Sequence, residues 1–201
     1  MVIVVTNRKL CAGDFLARLD SLCRAKPGAV LLREKDLPES DYAALARSCQ
    51  EICVRQEVPL ILHGHPQIAR ELGLSQVHLP LPALEAQAAA LCGLRAGTSV
   101  HSVEDVRRAQ ALGASYLIAG HIFSTACKPG LPARGLRFLG EVCRAAKVPV
   151  YAIGGVQAGR VPDVLAQGAA GFCIMSELME CPDPYERLSS YIDIETAASL
   201  G

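Results

Sequence analysis

Residues 120–135 concentrate groups suited to proton chemistry. They carry the imidazole of His121, the hydroxyl of Thr125 and the ammonium of Lys128, set among Gly120, Pro129, Gly130, Pro132 and Gly135. An imidazole ordinarily titrates near neutrality, so it can remove a proton from one atom and return it to another. A neighbouring ammonium can stabilise the negative charge left behind. The run Tyr116-Leu117-Ile118-Ala119 just before reads as a buried strand ending at Gly120, and a helical pattern begins near Gly135. A rigid strand that delivers such groups into a loop is a common way to build an active site.

These groups need a frame, and the chain alternates short apolar runs with amphipathic helical patterns from end to end. Candidate strands lie at 2–6, 29–33, 60–63, 76–79, 97–100, 117–120, 150–153 and 171–175. They are rich in Val, Ile and Leu, and several are apolar on both faces, as parallel strands covered by helices must be. Helical stripes fill the gaps. Leu19, Leu22 and Cys23 mark the first, and Leu45, Cys49, Ile52 and Cys53 the second. Pro66 suits the first turn of a third, and an Ala- and Leu-rich fourth spans 83–92. Ser102 with Asp105 resembles a capping box opening the fifth. Leu136, Leu139 and Val142 mark the sixth, Val161 and Val164 the seventh, and Tyr185, Leu188 and Ile192 the eighth. Eight such units imply right-handed crossovers and a parallel sheet. At about 25 residues each they suit a closed (β/α)8 barrel (TIM barrel, α/β class) better than an open doubly wound sheet. The expected organisation is a single domain over 1–201, with 195–201 a fraying tail.

In such a barrel the functional groups sit at the C-terminal ends of the strands. All five histidines, at 63, 65, 78, 101 and 121, fall at or just after a strand. Gly154 and Gly155 after the seventh strand, with Met175 and Ser176 at the end of the eighth, would offer backbone amides to a phosphate. Alternation along the second strand sends Arg33 and Lys35 to one side and Glu34 to the other. Two cations at a barrel mouth suit a carboxylate or phosphate. His63 and His65 have the spacing of a metal pair, but no carboxylate or thiol at matching spacing completes a set, so no metal is expected. His78 reads as a hydrogen-bonded core or mouth residue, and His101 as a structural neighbour of the Ser102 cap. His121 differs: it heads the polar loop and, on this reading, sits opposite the phosphate site.

Bulk properties narrow the partners. Lys plus Arg and Asp plus Glu both number 20, so net charge is near zero, and 51% of residues are hydrophobic. That balance argues against electrostatic capture of nucleic acid or an anionic membrane. No apolar run approaches a membrane span, and the opening Met1-Val2-Ile3-Val4-Val5-Thr6-Asn7-Arg8 reads as a strand and not a leader. Nine cysteines, an odd number without a C-x-x-C pair, read as buried thiols. A cytoplasmic protein is expected. Its oligomeric state is left open, a homo-oligomer included.

Several segments together resemble the thiamin phosphate synthase superfamily. They are Ser99-Val100-His101-Ser102, Gly120-His121-Ile122-Phe123 with Thr125 and Lys128, Gly130-Leu131-Pro132-Ala133-Arg134-Gly135 and Ala152-Ile153-Gly154-Gly155-Val156. Leu31-Leu32-Arg33-Glu34-Lys35 and Val77-His78-Leu79 extend the likeness over nearly the whole chain. In the synthase branch two aspartates hold the magnesium that carries the pyrimidine diphosphate. Here those positions are Gly64 and Ala83, and His63 and His65 flank the first. Synthases also have Gly-Pro where this chain has Gly120-His121. The Gly-His-[Ile/Val]-Phe pattern is similar to the thiazole tautomerase branch, which aromatises the carboxythiazole phosphate ylidene released by thiazole synthase. The resemblance implies His121 as the acid–base residue. It implies Gly154, Gly155, Met175 and Ser176 around the phosphate, and Arg33, Lys35, Ser99, Thr125 and Lys128 around the rest of the substrate. It implies a small-molecule thiazole phosphate as ligand and no cofactor, because aromatisation drives the reaction.

Two other readings share these residues. One is a thiamin phosphate synthase with a rebuilt metal site, which the retained Arg33, Lys35 and Lys128 allow. The other is a non-catalytic binder of thiazole or thiamin phosphate, in which His121 would have no task. A different phosphate-handling barrel, such as an epimerase, is a third and weaker reading.

Overall fold

The computed structural model describes residues 1–11, 13–91, 93–125 and 130–199, so Lys128 lies outside the described residues. Eight strands close a parallel barrel in sequence order, and β8 pairs with β1. They are β1 (Val2–Val5), β2 (Ala29–Leu32), β3 (Leu60–His63), β4 (Gln76–Pro80), β5 (Arg95–Val100), β6 (Tyr116–Gly120), β7 (Val150–Ile153) and β8 (Gly171–Ile174). Helices follow the strands: α1 (Phe15–Arg24), α2 (Glu39–Arg55), α3 (Pro66–Glu71), α4 (Leu81–Gln87), α5 (Val103–Ala111), α6 (Gly135–Ala145), α7 (Val161–Ala166), α8 (Ser176–Glu180) and α9 (Pro184–Ser199).

The two-residue period of each strand builds two cores. Val2 and Val4, Val30 and Leu32, and Leu117 and Ala119 point outward under the helices. Ile3 and Val5, Ala29 and Leu31, and Tyr116 and Ile118 point into the barrel. Both faces are therefore apolar, which is why the strands read as continuous hydrophobic runs.

Two expectations about helices are corrected. The segment 83–92 is not one helix: α4 starts earlier, at Leu81 with Pro82 in its first turn, and gives way to a 3₁₀ turn at Ala88–Ala90. Proline is tolerated there because first-turn N–H groups have no intrahelical partner. The short helix α8, read from sequence only as the end of a strand and the loop after it, stands between β8 and α9. The tail also differs from expectation, since α9 runs to Ser199 and Glu195 pairs with the amino terminus at 2.7 Å.

One position inside the barrel is set by glycine. Gly97 lies opposite Tyr116 in the β5–β6 register, and a Cβ there would come within 2.0 Å of the Tyr116 ring. Glycine thus makes room for an aromatic ring in the barrel interior. Gly97→Ala should lower unfolding stability by about 1–3 kcal/mol through overpacking, measured by urea denaturation. A Gly97→Ala/Tyr116→Val protein should recover part of the loss.

Candidate active site

The C-terminal ends of the strands surround a cavity of about 840 Å³. Arg33 and Lys35 line it from the end of β2, His63 from β3, His78 from β4, and Ser99 and His101 from β5. His121 and Thr125 line it beyond β6, Gly154 and Gly155 beyond β7, and Met175 and Ser176 beyond β8. The cavity therefore brings together every sequence-predicted site residue that is described. His65 is not among its lining: its ring stacks on Tyr42 at 4.2 Å between centroids.

A buried acid holds the two cations in place. Glu34, 3% exposed, points away from the cavity, as the alternation demands. It accepts the Thr6 hydroxyl at 2.6 Å and the Arg8 backbone N–H at 3.0 Å, and pairs with the Arg8 guanidinium at 3.5 Å. Thr6 Oγ1 in turn accepts the Arg33 N–H at 3.0 Å. The strand end is thus fixed on its far side, and Arg33 and Lys35 are turned to the cavity. Arg8 also grips Asp36 at 2.7 Å and holds that carboxyl well below the usual range.

His121 is 5% exposed and sits beside the β7 loop, not opposite the presumed phosphate site. The reason is pairing. β6 and β7 are neighbours, and their contact continues past Gly120 through Ile122 N–H to the Ile153 carbonyl and Phe123 N–H to the Gly154 carbonyl, each at 2.9 Å. A Cβ on Gly154 would fall 2.4 Å from that of His121, and one on Gly155 2.5 Å from the Ser124 carbonyl oxygen. Both glycines also have positive φ, 95° and 65°. Their first role is to admit the β6 loop, which adds a packing reason to the anion-binding one expected from sequence. The loop is closed from the other side by Arg134, whose N–H donates to the His121 carbonyl at 3.1 Å and whose guanidinium donates to the His101 carbonyl at 2.6 Å. The His101 ring donates Nδ1–H to the Gly120 carbonyl at 2.7 Å.

Among the described residues the His121 ring has one partner, the Leu131 carbonyl, 3.2 Å from Nε2, while Nδ1 is buried with no hydrogen bond. A carbonyl only accepts, so Nε2 carries the proton and the lone pair of the neutral ring lies on Nδ1. The imidazole is therefore oriented by the backbone and keeps one uncommitted basic nitrogen.

The sequence reading missed the aromatic floor beneath. His78, 1% exposed, lies 3.1 Å from the Tyr116 hydroxyl through Nδ1 and 2.9 Å from Ser99 Oγ through Nε2. Tyr116 had been absorbed into an apolar strand, and the signal that singles it out is Gly97 across from it. Burial lowers His78 to about 3 and His63 to about 4, and the cations Arg33 and Lys35 add to both shifts.

The side chains at positions 64 and 83 do not suit magnesium, which takes hard oxygen ligands and is usually held by one or two carboxylates plus substrate phosphates. Gly64 and Ala83 supply none. The carboxylates of Asp105, Glu177 and Glu180 line the cavity: Asp105 accepts the His101 N–H at 2.8 Å, and Glu177 accepts the Tyr191 hydroxyl at 2.6 Å and pairs with Arg187. Among the described residues no three His, Cys, Asp or Glu side chains are grouped to hold a metal.

The depressed histidines have a sign. The folded state keeps them neutral, so on acidification the unfolded chain takes up their protons first. Their contribution is held above pH 6.5 and lost as pH falls towards 4 and 3. Unfolding free energies from urea denaturation between pH 7 and pH 5 should fall by up to about 1.4 kcal/mol per histidine for each unit below 6.5. His78→Gln should flatten that slope.

With this geometry in place, known proteins supply a family. The model of the thiamine monophosphate synthase family matches residues 2–178. A thiamine-phosphate synthase of Thermus thermophilus is 34% identical over 190 residues, covering 92% of this chain and 91% of that protein. A thiamine-phosphate synthase of Albidiferax ferrireducens is 34% identical over 188 residues, covering 90% and 85%. In fold, a thiamine phosphate pyrophosphorylase of Pyrococcus furiosus aligns over 100% of this chain and 96% of its own at a TM-score of 0.87, with 24% identity. A match spanning all eight strands, with relatives above 30% identity over nine-tenths of the length, places this chain in the thiamine monophosphate synthase family.

Proposed function

We propose that the protein is a thiazole tautomerase, an isomerase that aromatises the carboxythiazole phosphate ylidene made by thiazole synthase. The observation that carries this reading is the His121 imidazole in the wall of the cavity, oriented by the Leu131 carbonyl. The reaction asks for little else. One proton leaves the ring carbon that bears the carboxylate, and one reaches the exocyclic carbon. The neutral imidazole of His121 takes the first, and the resulting imidazolium delivers a proton to the exocyclic carbon. Arg33 and Lys35 offset charge that develops on the carboxylate. The loops beyond β7 and β8, with Gly154, Gly155, Met175 and Ser176, take the phosphate, Thr125 contacts the ring, and Ser99 lies at the ring edge that bears the carboxylate. Lys128, also assigned to the substrate, lies outside the described residues.

A second reading, thiamine-phosphate synthase, is favoured by the names of the relatives. It couples a pyrimidine diphosphate to a thiazole phosphate, and its leaving diphosphate calls for a divalent cation. Glycine and alanine at positions 64 and 83 weigh against it.

Two measurements separate these readings. His121→Asn should slow aromatisation of freshly generated thiazole synthase product by about 10²–10⁴ and leave affinity for the aromatic carboxythiazole phosphate nearly unchanged. Full turnover by this protein removes His121 from the mechanism. EDTA should leave the tautomerisation rate of the wild type unaltered. Coupling of the pyrimidine diphosphate that EDTA abolishes and magnesium restores would establish the synthase instead.

A further inference from the structure

The floor of the cavity holds a hydrogen-bond chain whose direction can be deduced. The Tyr116 hydroxyl is buried, on a residue 6% exposed, and its hydrogen-bond partner is His78 Nδ1. A buried O–H left without an acceptor costs its full desolvation, so this hydroxyl donates to Nδ1. Nδ1 then carries the lone pair, and the neutral ring must carry its proton on Nε2. Nε2–H donates to Ser99 Oγ at 2.9 Å. With its oxygen accepting from His78, Ser99 has its own O–H left to give, and it lines the cavity, as Arg33 and Lys35 do. The neutral state of His78 is secured by burial, and His63, Arg33 and Lys35 around it all oppose a second proton.

We propose that Tyr116 and His78 are positioning residues that fix Ser99 as a hydrogen-bond donor into the cavity. The ligand must then present an acceptor at this point, namely a carboxylate oxygen held jointly with Arg33 and Lys35. The identity of the carboxylate rests on the proposed function; the direction of the chain does not. A ligand with an amino group in place of the carboxylate would meet a donor with a donor and would be rejected.

Two readouts decide this. In the ligand-free protein labelled with ¹⁵N-histidine, the His78 ring, assigned by its loss in His78→Gln, should show a protonated Nε2 and a bare Nδ1 between about pH 5 and pH 8. A proton on Nδ1, or on both nitrogens, overturns the proposal. In the second, Ser99→Ala should weaken binding of carboxythiazole phosphate about tenfold, and Tyr116→Phe by a smaller factor. The double variant should bind no worse than Ser99→Ala alone, because Tyr116 acts through Ser99. Multiplying losses would overturn the positioning role and make Tyr116 an independent structural residue. If the wild type fails to bind carboxythiazole phosphate at all, the functional reading falls while the spectrum alone decides the direction of the chain.

Discussion

The site depends on two missing side chains. Gly154 and Gly155 leave the space into which residues 121–124 descend, and any Cβ there would collide with His121, Phe123 or Ser124. The positive φ of both glycines turns the β7 loop so that its carbonyls meet the N–H groups of Ile122 and, one residue on, Phe123. Two backbone hydrogen bonds thereby tie the β6 and β7 loops together past the barrel rim. His121 is delivered by a segment pinned to its neighbour and not by a free loop, which is what an acid–base group needs if it is to stay within reach of one carbon. His101 and Arg134 complete the clasp, the His101 ring on the Gly120 carbonyl and the Arg134 N–H on the carbonyl of His121 itself.

Beneath this clasp the barrel manages charge by depth. The deepest titratable ring, His78, is kept neutral by desolvation and bonded at both nitrogens. His63 above it is also held neutral. The permanent cations Arg33 and Lys35 stay at the mouth, where Lys35 is exposed, and Glu34 on the opposite face anchors the strand that bears them. Neutral groups below and positive groups above suit an anionic, planar ligand that enters with its charged edge against the cations. Magnesium takes hard oxygen ligands, and glycine and alanine at positions 64 and 83 supply none.

Much of this could be read before any coordinates. The apolar runs located all eight strands to within a residue or two, because strands covered on both faces cannot conceal themselves among polar residues. The chain order of strands and helices gave closure, and closure told which strand ends face one cavity. The strand period placed Arg33 and Lys35 on one side and Glu34 on the other. What stayed hidden required three-dimensional neighbours. Tyr116 looked like one more apolar strand residue until Gly97 was seen across from it. His121 was expected opposite the β7 loop because chain order does not show that pairing continues past Gly120. The glycines after β7 were assigned to an anion, since composition cannot tell a glycine that admits a ligand from one that admits a neighbouring loop. Helix α8 has only five residues, too few for a periodic pattern to declare itself.

The account stands or falls on where the substrate ring lies relative to His121. A crystal structure with carboxythiazole phosphate bound measures this directly. The phosphate should lie against the loops beyond β7 and β8 and the carboxylate between Ser99, Arg33 and Lys35. The ring carbon that loses its proton should lie about 3–3.5 Å from a nitrogen of His121. A ligand seated in the same cavity with its ring away from His121, or with its phosphate on Arg33 and Lys35, would contradict it.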